Sequence, residues 1–275
     1  MVKIKKITQL SHSGIRPLNE DKVLVDEQAG VFGVFDGASS LDSYLSPDGK
    51  TGAYIASNIA ADTFMGAEES LEKTALLANK NIEDIHKKAG VDVTKSASRF
   101  ATTVAVIRIN EDEVELLQMG DSIVLVVYKD GRVDVPLGYH DHDVDIMRLW
   151  RQLADEGRTN IRDIVADDVI KLRESANIAY GSLNGDEKVK NFLKTTTINA
   201  QDIATIIILT DGMYIPKTDP ESVEPWDYYA QLYQEGGLDK IYNTVREIEN
   251  SDPDLIKYPR YKIHDDASAV AIEFA

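Results

Sequence analysis

Apolar runs along this chain keep meeting an aspartate at one end. "VFGVFDG" stops on Asp36 and "IILTDG" on Asp211. Asp121 stands between two runs in "MGDS", Asp265 and Asp266 precede the last run in "HDDASAVAIEF", and Asp21 closes the polar turn "RPLNED". Runs of Val, Ile and Thr bounded by turn residues read as β-strands. They fall at 22–27, 30–36, 102–109, 114–120, 123–130, 204–211 and 267–274. "NED" between the third and fourth runs, and "KDG" leading from "IVLVVY" into "RVDV", predict antiparallel hairpins. Amphipathic periodicity predicts helices at 51–64, 69–89, 143–156 and 227–249. Helices come in blocks between groups of strands and do not alternate with them one by one. That order predicts an α+β chain built on antiparallel sheets, not a doubly wound parallel sheet.

Composition narrows the functions open to such a fold. The chain has 275 residues, with 30 basic against 47 acidic residues and a formal charge of −17. An acidic surface of that kind excludes a protein that neutralises nucleic-acid phosphates with a basic face. The absence of cysteine removes disulfides, thiolate metal sites and cysteine nucleophiles. The N-terminal "MVKIKKITQLSHSG" has basic residues but no apolar segment behind them, and the longest apolar runs are far too short to span a bilayer. The reading is a cytoplasmic protein of one domain, 1–275, with no internal repeat and no linker.

A strand fixes its backbone rigidly, and a carboxylate at its tip inherits that position. Hard divalent cations take oxygen ligands, and Mg²⁺ is held by one or two carboxylates while keeping several waters. Several strand-tip aspartates meeting at one edge would make such a site. A glycine after the aspartate allows a sharp turn that leaves its carbonyl facing a metal. Each aspartate alone has a plainer reading as a turn or cap residue, and Asp130-Gly131 is read as no more than a turn. The ordered set carries the signal.

That set resembles the metal-dependent protein phosphatases of type 2C. "RPLNED", "VFGVFDG", "FATTVAVIRI…LLQMGDSIVLVV", "IILTDG" and "DDASAVAIEF" occur in the family's order, over residues 8 to 274. The resemblance implies a four-layer α/β/β/α sandwich, two antiparallel β-sheets flanked by helices. It implies hydrolysis of phosphoserine and phosphothreonine by a water held between two Mn²⁺ or Mg²⁺ ions. Asp36 would bridge both metals, Gly37 would offer its carbonyl, and Asp211 and Asp265 would complete the pair. Asp21, with Glu20 beside it, would hold metal-bound waters, and Asp121 would bind a third ion. Arg16 stands where the family places a phosphate-contacting arginine; its plain reading is a solvated loop residue. The implied partner is a phosphorylated protein, with no nucleic acid and no membrane, and a monomer is the simplest expectation. Residues 139–195, with the glycine-hinged "YGSLNGDE", occupy the region of the family's variable flap, and are either a substrate-contacting flap or a surface excursion.

The pattern departs from the family in one loop. "DGASS" replaces the usual "DGxGG", and Ala38 stands where eukaryotic members carry a histidine proposed as general acid. "HDHDVD" at 140–145 invites a second metal site but reads better as an acidic loop or helix start, and His12, His86 and His264 read as surface or turn residues. Alternative functions are a catalytically silent binding module and a hydrolase of a small phosphorylated metabolite.

Overall fold

The computed structural model describes residues 2–42 and 44–275. Two five-stranded antiparallel sheets pack face to face. The first runs in the order β1 (Ile4–His12), β12 (Ala267–Phe274), β11 (Ile203–Leu209), β8 (Ile123–Tyr128), β9 (Val133–Asp134). The second runs β10 (Lys194–Asn199), β7 (Glu113–Met119), β6 (Val104–Asn110), β3 (Val31–Phe35), β2 (Lys22–Asp26). A two-stranded ribbon joins β4 (Gly37–Ala38) to β5 (Ala101–Thr102). Both expected hairpins are present, as β6–β7 and β8–β9.

Helices cover the outer faces. α1 (Gly52–Phe64) and α2 (Leu71–Ala89) lie on the second sheet, and α6 (Trp226–Asn250), broken at Gly236–Gly237, lies on the first. The strand pleat explains why these runs are apolar on both sides. In β3, Phe32 and Val34 enter the layer between the sheets, while Val31 and Phe35 face α1 and α2. All five residues of β3 are buried, and Phe35 packs on Phe64 of α1 at a centroid distance of 5.6 Å. Truncating a buried phenylalanine of this kind to alanine costs about 3–5 kcal/mol. The strand and helix order predicts the α+β class with antiparallel sheets, and the two-sheet sandwich is the arrangement the family resemblance implies.

Three features are absent from the sequence reading. β1 alternates exposed and partly buried residues as an edge strand, which weakens its apolar signal. β10, rich in threonine, is the edge of the other sheet. Within residues 139–195, α3 (Val144–Asp155) is the helix expected at 143–156, but α4 (Ile161–Ile164), α5 (Ala166–Glu174) and the small apolar cluster they share with α3 around Trp150, with Leu255, Ile256 and Tyr261, were not foreseen. His86 is also corrected: it is fully buried, its Nε2 3.0 Å from the Phe100 carbonyl. No helix is long and apolar enough to cross a membrane, among the described residues.

Candidate active site

Strand direction brings the aspartates together. β2 and β3 are antiparallel with Lys22 opposite Phe35, so Asp21 at one strand's start adjoins Asp36 at the other's end. β11 ends with Leu209 opposite both Ile123 of β8 and Ala269 of β12. Asp211 therefore adjoins the entries to those strands, where Asp121 and Asp265 stand. Asp36, Asp121, Asp211 and Asp265 line one cavity of about 600 Å³, together with Gly37 and Arg16.

Electrostatics show how closely they crowd. Burial raises the Asp36 carboxyl well above its ordinary range, and the charges of Asp211, Asp21, Asp121 and Asp265 push the same way. Asp211 is raised by burial, then by Asp265 and Asp121. Burial lifts Asp21 to about 7 against the bond from Thr210, with Asp265 and Asp266 adding to the rise. Asp121 is raised by burial, opposed by His142.

Each carboxylate is mounted on fixed backbone. The Asp36 carbonyl accepts from Thr103 N at 2.9 Å and from Thr102 Oγ1 at 2.8 Å. A Cβ on Gly37 would lie 2.6 Å from the carbonyl oxygens of Glu20 and Ala53. Glycine is required there by close packing beside a short strand, a stricter reason than the turn expected. Thr210 Oγ1 donates to Asp21 Oδ2 at 2.8 Å and accepts from Ser268 N at 2.9 Å. Asp266, adjacent to the expected ligand, is a clamp: it accepts from Gly14 N at 2.7 Å and Glu20 N at 2.6 Å, tying the N-terminal loop to β12. Arg246 of α6 donates to the Asp265 carbonyl at 2.8 Å and the Gly212 carbonyl at 3.3 Å, so one guanidinium braces two aspartate loops.

Other predicted positions resolve as follows. Arg16 reaches the cavity rim but its guanidinium rests on Glu20, 3.2 Å away, with half its side chain exposed. Ala38 pairs with Ala101, so the departing loop is a short strand. "HDHDVD" is a loop leading into α3, as expected, yet His142 faces the cavity, stacked on Tyr180 at 4.3 Å with Nε2 3.7 Å from Asp121 Oδ2. Lys262 was outside the sequence reading; its Nζ lies 2.5 Å from Asp265 Oδ1. Only its spacing of three residues from Asp265 hinted at that pairing. Asp265, then Asp211 and Asp36, hold this ammonium charged although burial opposes it.

The donor set suits a hard cation. It offers carboxylate oxygens and the Gly37 carbonyl, and Asp21 Oδ1 and Asp121 Oδ1 are buried with no hydrogen-bond partner. Among the described residues no three carboxylates or imidazoles are already gathered in metal-holding geometry.

The "Protein phosphatase 2C" family profile matches residues 8–241. No curated protein sequence matches the chain. Among solved structures, the Mycobacterium tuberculosis serine/threonine phosphatase PstP is similar at 16% identity and TM-score 0.59, covering 98% of this chain and 97% of that one. A catalytic-domain structure of PstP, at the same identity and TM-score with 98% of each chain covered, is a complex with two manganese ions. PppA of Pseudomonas aeruginosa, a regulatory component of its T6SS, is similar at 15% identity and TM-score 0.59, covering 100% of this chain and 99% of that one. Staphylococcus aureus Stp1 is similar at 13% identity and TM-score 0.57, covering 98% and 95%. With a family match across most of its length and the same two-sheet sandwich, this chain belongs to the protein phosphatase 2C family.

Proposed function

We propose that this chain is a metal-dependent phosphomonoester hydrolase acting on phosphoserine and phosphothreonine in proteins. One observation carries the reading: strand-end aspartates far apart in sequence share a single cavity rim and raise one another's proton affinity. Asp36, Gly37, Asp211, Asp265 and Asp21 would hold two Mn²⁺ or Mg²⁺ ions, and Asp121 a third. The structure of PstP with two manganese ions supports the pair. Such ions supply an activated water and charge neutralisation of the phosphoryl group.

The chain's own residues do the rest. Thr102 and Thr103 hold the Asp36 backbone at its strand end, and Thr210 holds the Asp21 carboxylate, so both are anchored at the rim. Arg16 is the phosphate-binding candidate; a bidentate guanidinium fits two phosphate oxygens, and Glu20 must share or release it. Ala38 offers no proton to the departing alkoxide, so solvent or the imidazole of His142 is left to do so. Residues 139–195 form the flap of a single catalytic domain: Val165, Val169 and Ile170 line the same cavity as Asp36.

The test is Mn²⁺-dependent hydrolysis of p-nitrophenyl phosphate, abolished by EDTA. Asp36→Asn and Asp211→Asn should each abolish turnover at saturating Mn²⁺ with unchanged circular dichroism. Wild-type rates in either variant would end the assignment. Phosphopeptide against sugar-phosphate turnover separates a protein phosphatase from a metabolite hydrolase.

A further inference from the structure

A second recess, of about 180 Å³, adjoins the aspartate rim and shares Asp121, Asp211 and Asp265 with the main cavity. Whatever enters it sits beside the reacting group. Its walls are aromatic: Tyr139 and Tyr214 stand edge to face at 5.5 Å, and Tyr261 lines the same space. Its polar groups are mostly acidic: Asp143 is also shared with the main cavity, while Asp141 and Glu224 line the recess and not that cavity.

The cations in this recess are already engaged. Lys217 Nζ lies 2.7 Å from Glu224 Oε1 and donates to the Ser222 carbonyl at 3.0 Å. Arg260 is bound to Asp252 at 3.1 Å and to neighbouring carbonyls. Lys262 rests on Asp265. Asp141 has no ion-pair partner among the described residues, and Asp143 has only the Tyr261 hydroxyl at 2.9 Å and His142 at 3.9 Å. An independent observation points to a missing ligand. Glu224 is only 7% exposed, and its Oε2 is buried with no hydrogen-bond partner. A buried carboxylate oxygen left bare is unfavourable unless something completes it.

We infer that this recess is a specificity subsite for the guanidinium of an arginine close in sequence to the phosphorylated residue. A guanidinium is planar, stacks on tyrosine faces and offers several donors at once, which matches tyrosine walls bordered by the bare Glu224 Oε2 and by Asp141, which lacks an ion-pair partner among the described residues. A long apolar stem also suits the Met147 and Pro216 surfaces of the recess. The inference rests on the phosphatase reading and adds a substrate preference to it.

The test is an arginine scan in phosphothreonine peptides of otherwise alanine sequence. Arginine is placed in turn at each position up to three residues from the phosphothreonine, with norleucine as the control for its stem. At one position arginine should raise kcat/KM roughly tenfold or more over alanine, as expected for charged hydrogen bonds. Glu224→Gln and Asp141→Asn should each bring the arginine-to-alanine ratio toward one, which a merely structural role would not do. If one variant fails to fold, the other carries the comparison. No preferred position, or a preference that survives both substitutions or equals that for norleucine, overturns the subsite. Wild-type turnover of p-nitrophenyl phosphate tests the underlying reading separately. Should that turnover be absent, anisotropy of the labelled, dephosphorylated peptides still decides whether arginine binds through Glu224 and Asp141.

Discussion

Asp21→Asn in the metal-free protein isolates the price of crowding carboxylates at this rim. Asp21 is buried, lifted from 3.8 to about 7 first by that burial and then, against the Thr210 bond, by Asp265 and Asp266. A carboxyl whose affinity for protons is higher in the folded state stabilises the fold at low pH and loses that contribution as pH rises through the folded value. The window runs from 3.8 to about 7, a span of about 3 units. At about 1.36 kcal/mol per unit this amounts to about 4 kcal/mol, an upper figure because the neighbouring carboxylates share the titration. Asparagine removes the charge and can still accept from Thr210 Oγ1, the bond that Asp21 Oδ2 accepts at 2.8 Å. By pH 5 about one unit of the penalty has accrued; by pH 8 all of it has. In EDTA the variant should therefore be more stable than wild type, with the gap widening by roughly 2–3 kcal/mol between pH 5 and pH 8. Urea unfolding at the two pH values measures this. Mn²⁺ should narrow the gap: a ligand at a hundredfold excess over its Kd adds about 2.7 kcal/mol to a protein that binds it, and the variant should gain less. A variant less stable than wild type at pH 8 in EDTA, or a gap that does not move with pH, would refute the reasoning.

Other substitutions probe the scaffold. Gly212→Ala would place a Cβ 1.8 Å from the Asp266 carbonyl oxygen, so the Asp211 turn must shift; we expect both a lower Tm and loss of Mn²⁺ uptake by calorimetry. Arg246→Ala leaves Glu249, itself nearly fully buried, without its guanidinium partner and frees the Asp265 and Gly212 carbonyls, and should cost about 3–5 kcal/mol in urea unfolding. Arg246→Lys should recover only part of it, because one ammonium cannot reach all three acceptors in the plane of a guanidinium. Burial pushes Asp252 up, but backbone N–H groups of Lys257, Tyr258 and Ile256 and the Arg260 guanidinium outweigh it and hold it below its ordinary value. It therefore stabilises the fold above pH 3.8 and loses that contribution as pH falls below it, so Asp252→Asn should flatten the acid limb of a pH–stability profile.

The local pattern was enough to predict antiparallel α+β sheets and to mark the aspartates, while the sandwich was implied by the family resemblance. Strands such as Val31–Phe35 are apolar on both faces because a sheet buried between another sheet and a helix layer leaves no polar side, and that signature survives in one dimension. An aspartate at the end of such a run interrupts the pattern abruptly enough to be seen. Edge strands such as Ile4–His12 and Lys194–Asn199 face solvent and lose the signature, which is why they escaped it. Only the tertiary structure decided what stands around the aspartates. Asp266 on Gly14 and Glu20, and Arg246 across two loops, join positions up to 252 residues apart, and pairing at that range follows from strand register and helix packing that no short stretch encodes. The tyrosine recess beside the rim arises the same way: Tyr139, Tyr214 and Tyr261 come from three separate segments, Tyr139 packing on Tyr214 and Tyr261 on Trp150, and tertiary packing, not any shared motif, makes them line one recess.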